Sequence, residues 1–415
     1  MIDVIAGKLQ ENQPAVDRLL TSLAAKYQPP VYSSFDLRCN GHKAVAVDPN
    51  VFPAGFNNIC LSGVRLAATL FLQIIHKRFS PEADTVAIYP EDHTKNRYYL
   101  ENLYALQGLI QRAGLECLLV STNPAIDNWP AELKTAEDHS VIIHHLNSRN
   151  DCLHADGRKI DLILSNNDFS TGVPAPLQNS STPVIPPPQM GWHQRSKYDH
   201  FQKQKQVFEQ LGQVLDLDPW YLYPHTLKVS GVDFENKDGF EAVASAIDDV
   251  IDETQQRYKT AQVDEPLKAF VKGDRGTYGM NVYSFSSGAE FLELSRSRRD
   301  SMNRRKGGEK NTSVIVQEGV RTFNRVEDLV AEPVLYCLEQ TPICGFLRTN
   351  KKQNDFENLN ARGMAFTPEN LCPLFIDQAD KNVGSNLTQP QIEVYKLLAT
   401  CGTIACGMEI KELNL

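Results

Sequence analysis

Between residues 84 and 170 the chain keeps switching between two hydrophobic rhythms, and that switching limits the folds open to it. DTVAIYPEDHTKN (84–96) reads as a strand entering a polar loop, YYLENLYALQGLIQRAG (98–114) as a helix closed by Gly114, and LECLLVS (115–121) as the next strand. SVIIHHLN (140–147) and KIDLILSNNDFS (159–170) continue the series. Strand-helix-strand succession is the mark of an α/β layer. Upstream, residues 1–30 read as an amphipathic helix ending before Pro29-Pro30, 43–47 as a strand followed by a DPN turn, and 59–78 as a long buried helix.

The rhythm changes after the proline-rich stretch 171–191, a boundary or wrapped connector. Two helical patterns follow, HFQKQKQVFEQLGQVL and GFEAVASAIDDVIDETQQRYK, then strand, glycine loop and strand over 268–285. NTSVIVQEGV and AEPVLYCLEQTPICGFLRTN read as further short strands with tight connections, an antiparallel pattern. At 415 residues the chain is too long for one comfortable core. The expectation is a multidomain α/β and α+β protein, with an α/β domain over 1–190 and a second region over 191–415 that divides near 260.

A formal charge of -9 argues against binding to nucleic-acid backbones. The connector 295–310 carries seven Arg or Lys residues without interleaved aromatics, so it reads as a solvated loop or a flap closing over a ligand. The start MIDVIAGKLQENQ lacks the pattern of a signal peptide, and the apolar run 59–75 is too short and too interrupted by Arg65 and Gln73 to span a bilayer. Nine scattered cysteines without a CxxC pair suit a reducing cytoplasm and disfavour a disulfide scaffold or a structural zinc. A cytoplasmic protein with no membrane partner is expected.

FVKGDRGTYGMNVYSF (270–285) sets Lys272 at a strand end before a glycine loop. Such a loop folds over polyphosphate with its backbone N–H groups, while the lysine adds a fixed charge. A plain glycine hairpin has the same local look. Neither the Walker nor the Rossmann pattern is present. Gln317 and Glu318 end the strand VIVQEG, where they could bind an adenine edge or ribose hydroxyls or form an ordinary charged terminus. Glu332 and Arg348 interrupt apolar strands, and buried opposite charges are costly unless paired or employed. In EDHTKNR, Glu91, His93, Lys95 and Arg97 follow a strand where α/β sheets bind small ligands, and Asn166, Asn167 and Asp168 hold the same position after DLILS. Mixed charge there suits an amino acid, and a solvated loop or turn equally. For Mg²⁺, hard oxygen ligands are wanted, which makes Asp48, Asn50, Asp274 and Glu332 candidates, although Asp48-Pro49-Asn50 is also a good turn. His144 and His145 would point to opposite faces of one strand and make a poor metal pair.

The order of the lysine strand, the glycine loop, VIVQEGV, AEPVLYC, GFLRTN and FENLNARGM resembles the ATP-grasp fold, in which two α+β lobes enclose ATP, and this implies a substrate-binding domain over 1–190 and an ATP-grasp-like nucleotide-binding region with antiparallel sheets over 191–415, its lobe boundary near 260. With VDPNVFPAGFNN (47–58), YPEDHTKNRYYLENL (89–103), LILSNNDFS (162–170), GWHQRSKYDHF (191–201) and FVKGDRGTYGMNVY (270–283), most of the chain resembles the proteobacterial glutamate-cysteine ligases of ATP-grasp-like architecture, related in outline to glutathione synthetases. The resemblance implies that Lys272 reaches the ATP phosphates under a loop containing Gly276, Tyr278 and Gly279. It implies that Lys197 is a second nucleotide lysine, that Glu318 lies at the hinge beside adenine, and that Asp48 and Asn50 form an acid-x-Asn magnesium turn, with Asp274 a looser match. Arg348 and Arg362 join Lys272 as candidate catalytic cations, and Arg38 joins the substrate-binding candidates. The ending GMEIKELNL departs from the longer glycine-bearing ExN segment of many ATP-grasp enzymes, so Glu409, Glu412 and Asn414 are a remnant of the metal site or a tail.

The activity implied is ATP- and Mg²⁺-dependent joining of L-glutamate, through its γ-carboxylate, to L-cysteine, the first step of glutathione synthesis. Residue chemistry alone supports ATP-dependent carboxylate activation. Glutathione synthetase, another carboxylate-amine ligase, and a non-catalytic nucleotide-binding module remain alternatives, and a homo-oligomer is left open.

Overall fold

The computed structural model describes residues 1–92, 95–276, 282–303, 310–367, 371 and 385–413. Its first layer is the expected α/β one. The strands Val184–Ile185, Leu162–Asn166, Thr85–Pro90, Glu116–Ser121 and Ser140–His145 run parallel in that order, and Ala131–Lys134 closes the edge antiparallel to the last. Val86, Ala87 and Ile88 are fully buried, as are Leu162, Ile163 and Leu164, because helices or loops cover both faces of a parallel sheet. One cover is the helix Arg97–Arg112, whose first turn is capped by the Asn96 side chain accepting from the N–H groups of Tyr98 and Tyr99.

The second layer is antiparallel and joins distant parts of the chain. Its strands lie in the order Met364–Thr367, Thr341–Asn350, Leu329–Leu338, Tyr32–Cys39 and Ala44–Asn50, with Arg325–Val326 pairing onto the third. It therefore takes strands from both sides of residue 190. The DPN segment expected as a turn is a strand end: Asp48, Pro49 and Asn50 pair with Asp36, Phe35 and Ser34. Proline is tolerated because this strand is an edge, needing no N–H for an outer neighbour. The turn comes just afterwards, where the Phe52 N–H donates to Asn50 Oδ1 over 2.9 Å.

The third layer is a small antiparallel sheet in the order Thr226–Ser230, Ser313–Glu318, Ala269–Gly273 and Tyr283–Phe285, backed by the helix Phe240–Ala261. Residues 1–30 form two helices, Ile2–Glu11 and Gln13–Lys26, instead of one. The ending read as a tail belongs to a 24-residue helix, Gln389–Glu412. A helix apolar on all sides belongs inside a protein, and Ile392, Tyr395, Leu398, Cys401 and Ile404 are all fully buried in one core with the N-terminal helices and the helix Lys197–Leu215. Gly402 and Gly407 permit this depth, since a methyl group there would strike the Phe35 ring and the Tyr27 carbonyl. Among the described residues no helix is long and apolar enough to cross a membrane.

Candidate active site

The three layers meet around a cleft of about 1840 Å³. The parallel sheet presents the C-terminal ends of its strands, with Asn166 and Asp168 at the wall, which is where such sheets receive ligands. The small sheet presents Phe270, Lys272, Gln317 and Glu318, and the large antiparallel sheet presents Asp36, Arg38, Asp48, Glu332 and Arg348.

Strand register explains that last group. Glu332 lies opposite Arg348, Val334 opposite Asp36, and Asp36 opposite Asp48, so alternation puts these charges on one face. Arg348 donates to Asp36 Oδ2 (2.5 Å) and Glu332 Oε1 (3.1 Å), while Arg38 donates to Glu332 Oε2 (3.0 Å) and to the carbonyls of Val320, Asp355 and Glu357. Burial alone would lower the Arg348 pKa, but Asp36 and then Glu332 outweigh it and raise it. Glu332 is thus no ready metal ligand, since both of its oxygens are held by guanidinium groups. Burial raises its carboxyl, with Arg38 opposing.

Asp48 differs. Half-buried at the cleft, its carboxylate makes no hydrogen bond or salt bridge to another described residue. Burial raises its carboxyl above the usual range, Lys197 pulls it down, Asp36 pushes it up and Lys272 pulls it down again. Lys272 faces it from the small sheet, its ammonium donating to Gln317 Oε1 (2.8 Å) and the Val47 carbonyl (3.2 Å). Burial lowers this lysine to about 8, and Asp48 only partly restores it. Gln317 is a brace for Lys272, because its amide nitrogen is also occupied, on Thr226 Oγ1 at 3.0 Å.

Lys197 starts the helix Lys197–Leu215, which Ser196 caps by accepting from the Asp199 N–H. Its ammonium sits 3.8 Å from the Trp192 ring centroid and donates to the Gly276 carbonyl at 2.8 Å. Lys197 and Gly276 therefore meet in space. Glu318 is fixed through one oxygen: Oε2 accepts from Lys43 (2.6 Å), the His225 N–H (3.1 Å) and Trp220 Nε1 (3.3 Å). Its Oε1 is buried with no hydrogen-bond partner among the described residues.

Other expectations are corrected. Asp274 is 1% exposed and its carboxylate accepts from Ser196 Oγ, the Tyr198 N–H and Lys228 Nζ. It anchors the start of a helix, and a cation would have to displace three donors. Asn166 is engaged with Tyr32, the Pro53 carbonyl, Tyr99 and Asn102, and Asn167 with the Pro90 carbonyl and the Phe169 N–H, so both brace the wall. Asp168 Oδ1 accepts from the Ser170 N–H at the cleft wall. Arg97 is exposed and turned to the Thr135 carbonyl and Asp138, and Lys95 is exposed outside the lining. Arg362 is exposed at the cleft mouth. His93, Tyr278, Gly279 and Asn414 lie outside the described residues. Glu412 pairs with Lys203 at 2.6 Å. Asp36 and Lys43 escaped the sequence reading, because Asp36 sits among Ser33, Ser34 and Arg38 and Lys43 follows Asn40-Gly41-His42, so neither stands out as a charge in an apolar run.

A mixed α/β fold around a deep cleft walled by buried cations and carboxylates is the setting of an enzyme that takes small molecules. The chain belongs to the glutamate-cysteine ligase family, which matches residues 7–410. It is similar to the crystal structure of a "putative gamma-glutamylcysteine synthetase" from Methylobacillus flagellatus KT, with 31% identity and a TM-score of 0.89, covering 99% of this chain and 96% of that one. A D-alanyl-alanine synthetase A from Vibrio cholerae O1 biovar eltor str. N16961 aligns at 12% identity and a TM-score of 0.35, over 77% of this chain and 80% of that one, a likeness too slight to carry an argument. Among curated proteins none matches.

Proposed function

We propose that the enzyme joins the γ-carboxylate of L-glutamate to the amine of L-cysteine at the expense of ATP. The observation that carries this reading is Asp48, whose carboxylate has no hydrogen-bond or salt-bridge partner among the described residues and which faces the buried Lys272 and the half-buried Lys197 inside the cleft. In the proposed reaction a glutamate oxygen attacks the γ-phosphorus of ATP and ADP leaves. The cysteine amine then attacks the acyl carbon, phosphate departs with the C–O bonding pair, and the amine loses a proton. Lys272 and Lys197 would neutralise the phosphate oxygens, and no side-chain nucleophile is needed.

The residues also fit the two groups the reaction requires. The buried, unpartnered Glu318 Oε1 suits an N–H or O–H donor of adenosine. Asp48, with Asn50 two residues along the same edge strand, offers the hard oxygens that Mg²⁺ prefers. When bound, Mg²⁺ supplies charge neutralisation between phosphate and carboxylate. In this reading the small sheet with its helix Phe240–Ala261 is one ATP-grasp-like lobe, the large antiparallel sheet the other, and the parallel sheet the substrate-binding part. The paired Arg38, Arg348, Asp36 and Glu332 would orient the zwitterionic amino acid.

The test is phosphate release from ATP with glutamate present and the second substrate varied among cysteine, glycine, alanine and none, followed by product mass. Release that depends on cysteine, with a product of the mass of γ-glutamylcysteine, is expected. Preference for another amine would move the enzyme to a different ligation, and no ATP turnover with any amine would overturn the reading.

A further inference from the structure

Behind the cleft lies a second polar cluster that the reaction does not use. Glu409, on the C-terminal helix, accepts from Arg195 Nε (2.5 Å) and NH2 (2.9 Å) and from His200 Nδ1 (2.5 Å). Cys406, one turn earlier, approaches Arg195 NH2 at 3.3 Å. His200, Cys406 and Glu409 are close enough to hold a metal, but the guanidinium already occupies both carboxylate oxygens. A cation would have to expel a buried arginine. All of these side chains lie outside the cleft lining.

Their connection to the cleft runs through one indole. Trp192 is 6% exposed and lies between two cations, the Arg195 guanidinium 4.0 Å and the Lys197 ammonium 3.8 Å from its ring centroid. Its carbonyl accepts from the Gly276 N–H at 2.9 Å, and Lys197 donates to the Gly276 carbonyl at 2.8 Å. The Lys197 N–H donates to the Asp274 carbonyl as well. Both backbone groups of Gly276, where the glycine loop begins, are therefore gripped by 192–197, and Arg195 links that segment to Glu409.

A buried ion pair contributes little net stability relative to a well-packed apolar pair, so stability alone does not account for this one. We propose that Glu409 and Arg195 are positioning residues for nucleotide binding, setting Trp192 so that Lys197 and the backbone of Gly276 are held where the phosphates would lie. The inference rests on reading the cleft as an ATP site.

The double variant Arg195→Met/Glu409→Met removes both charges while keeping volume, and Glu409→Gln removes one. The proposal expects the KM for ATP to rise about fivefold or more in both, with kcat within about twofold and the KM for the amine substrate unchanged. A purely structural pair would lower the amount of folded enzyme and leave the ATP KM alone. Trp192→Leu should reproduce the rise and Trp192→Phe, which restores an aromatic face, should recover most of it. This second pair decides the matter if the charge variants do not fold. A parent enzyme that turns over without ATP dependence overturns the nucleotide reading itself. An ATP-dependent parent whose folded variants keep the parent's ATP KM overturns only the positioning role.

Discussion

Lys43 and Lys272 are both buried, and burial pulls each down to about 8, yet their surroundings differ. Lys43 is tied to Glu318 at 2.6 Å and lies 4.1 Å from the Trp220 ring centroid. Lys272 is held by two neutral oxygens and, among the described residues, makes no salt bridge. One cation is neutralised by a carboxylate inside the protein, and the other is held by neutral acceptors, which in the proposed reaction leaves it for the phosphates. Burial alone marks neither as functional; the partner does.

The difference can be broken most severely at Lys43. Lys43→Ala leaves Glu318 charged and buried, and should cost about 3–5 kcal/mol of stability, read as a fall in Tm or in the denaturant midpoint. Lys272→Met should do the reverse: stability at pH 7 stays level or rises, while kcat/KM for ATP falls roughly 10²- to 10³-fold. Equal stability losses at the two positions would erase the distinction.

pH sharpens it further. A lysine lowered to about 8 is charged below that pH and neutral above it, so kcat/KM for ATP should fall above pH 8 by about tenfold per unit. Lys272→Arg should push that limb beyond the measurable range, whereas a limb belonging to Lys43 would persist. The stability sign is opposite. Between pH 8 and the ordinary lysine value, about 10.4, the unfolded chain binds the proton and the folded one does not, so the parent gains stability with rising pH and Lys272→Met gains less.

Magnesium gives the next step. Asp48→Asn should raise the Mg²⁺ concentration needed for turnover by roughly tenfold. Glu332→Gln should leave that requirement unchanged and lower Tm, because only one of Arg38 and Arg348 keeps an acceptor oxygen and the other faces an amide NH2. Superimposable Mg²⁺ titrations for Asp48→Asn and the parent would remove Asp48 from the metal site. The smallest effect belongs to Arg97→Ala, which breaks an exposed pair with Asp138 and should change stability by about 1 kcal/mol or less with no change in KM.

Much of the fold was legible because it is local. The alternation of VAIY, LENLYALQGLI and CLLVS yields the parallel layer almost residue for residue. The pairing of Tyr32–Cys39 with Leu329–Leu338 was not legible, since a strand carries no mark of a partner so remote. Lys272 stood out through the glycines beside it, whereas Asp36 and Lys43 gain meaning only from neighbours on other strands. Asp274 misled for a geometric reason: two residues from Lys272 it would share the lysine's face, but the strand stops at Gly273 and the Asp274 carboxylate is taken up by the start of the helix Lys197–Leu215. The C-terminal helix was hidden because apolar residues surround it on every side, leaving no amphipathic period to read, and its polar end resembled a tail.

The sheet that carries the charged face also sets when that face can exist. Arg38 and Glu332 are separated by 294 positions, so the first half of the ladder must wait for the second. At about 5–20 residues per second, a ribosome would take roughly 15–60 s to deliver the partner. During that interval Asp36 and Arg38 belong to an unpaired edge, and chaperones that shield such edges would determine the yield of active enzyme.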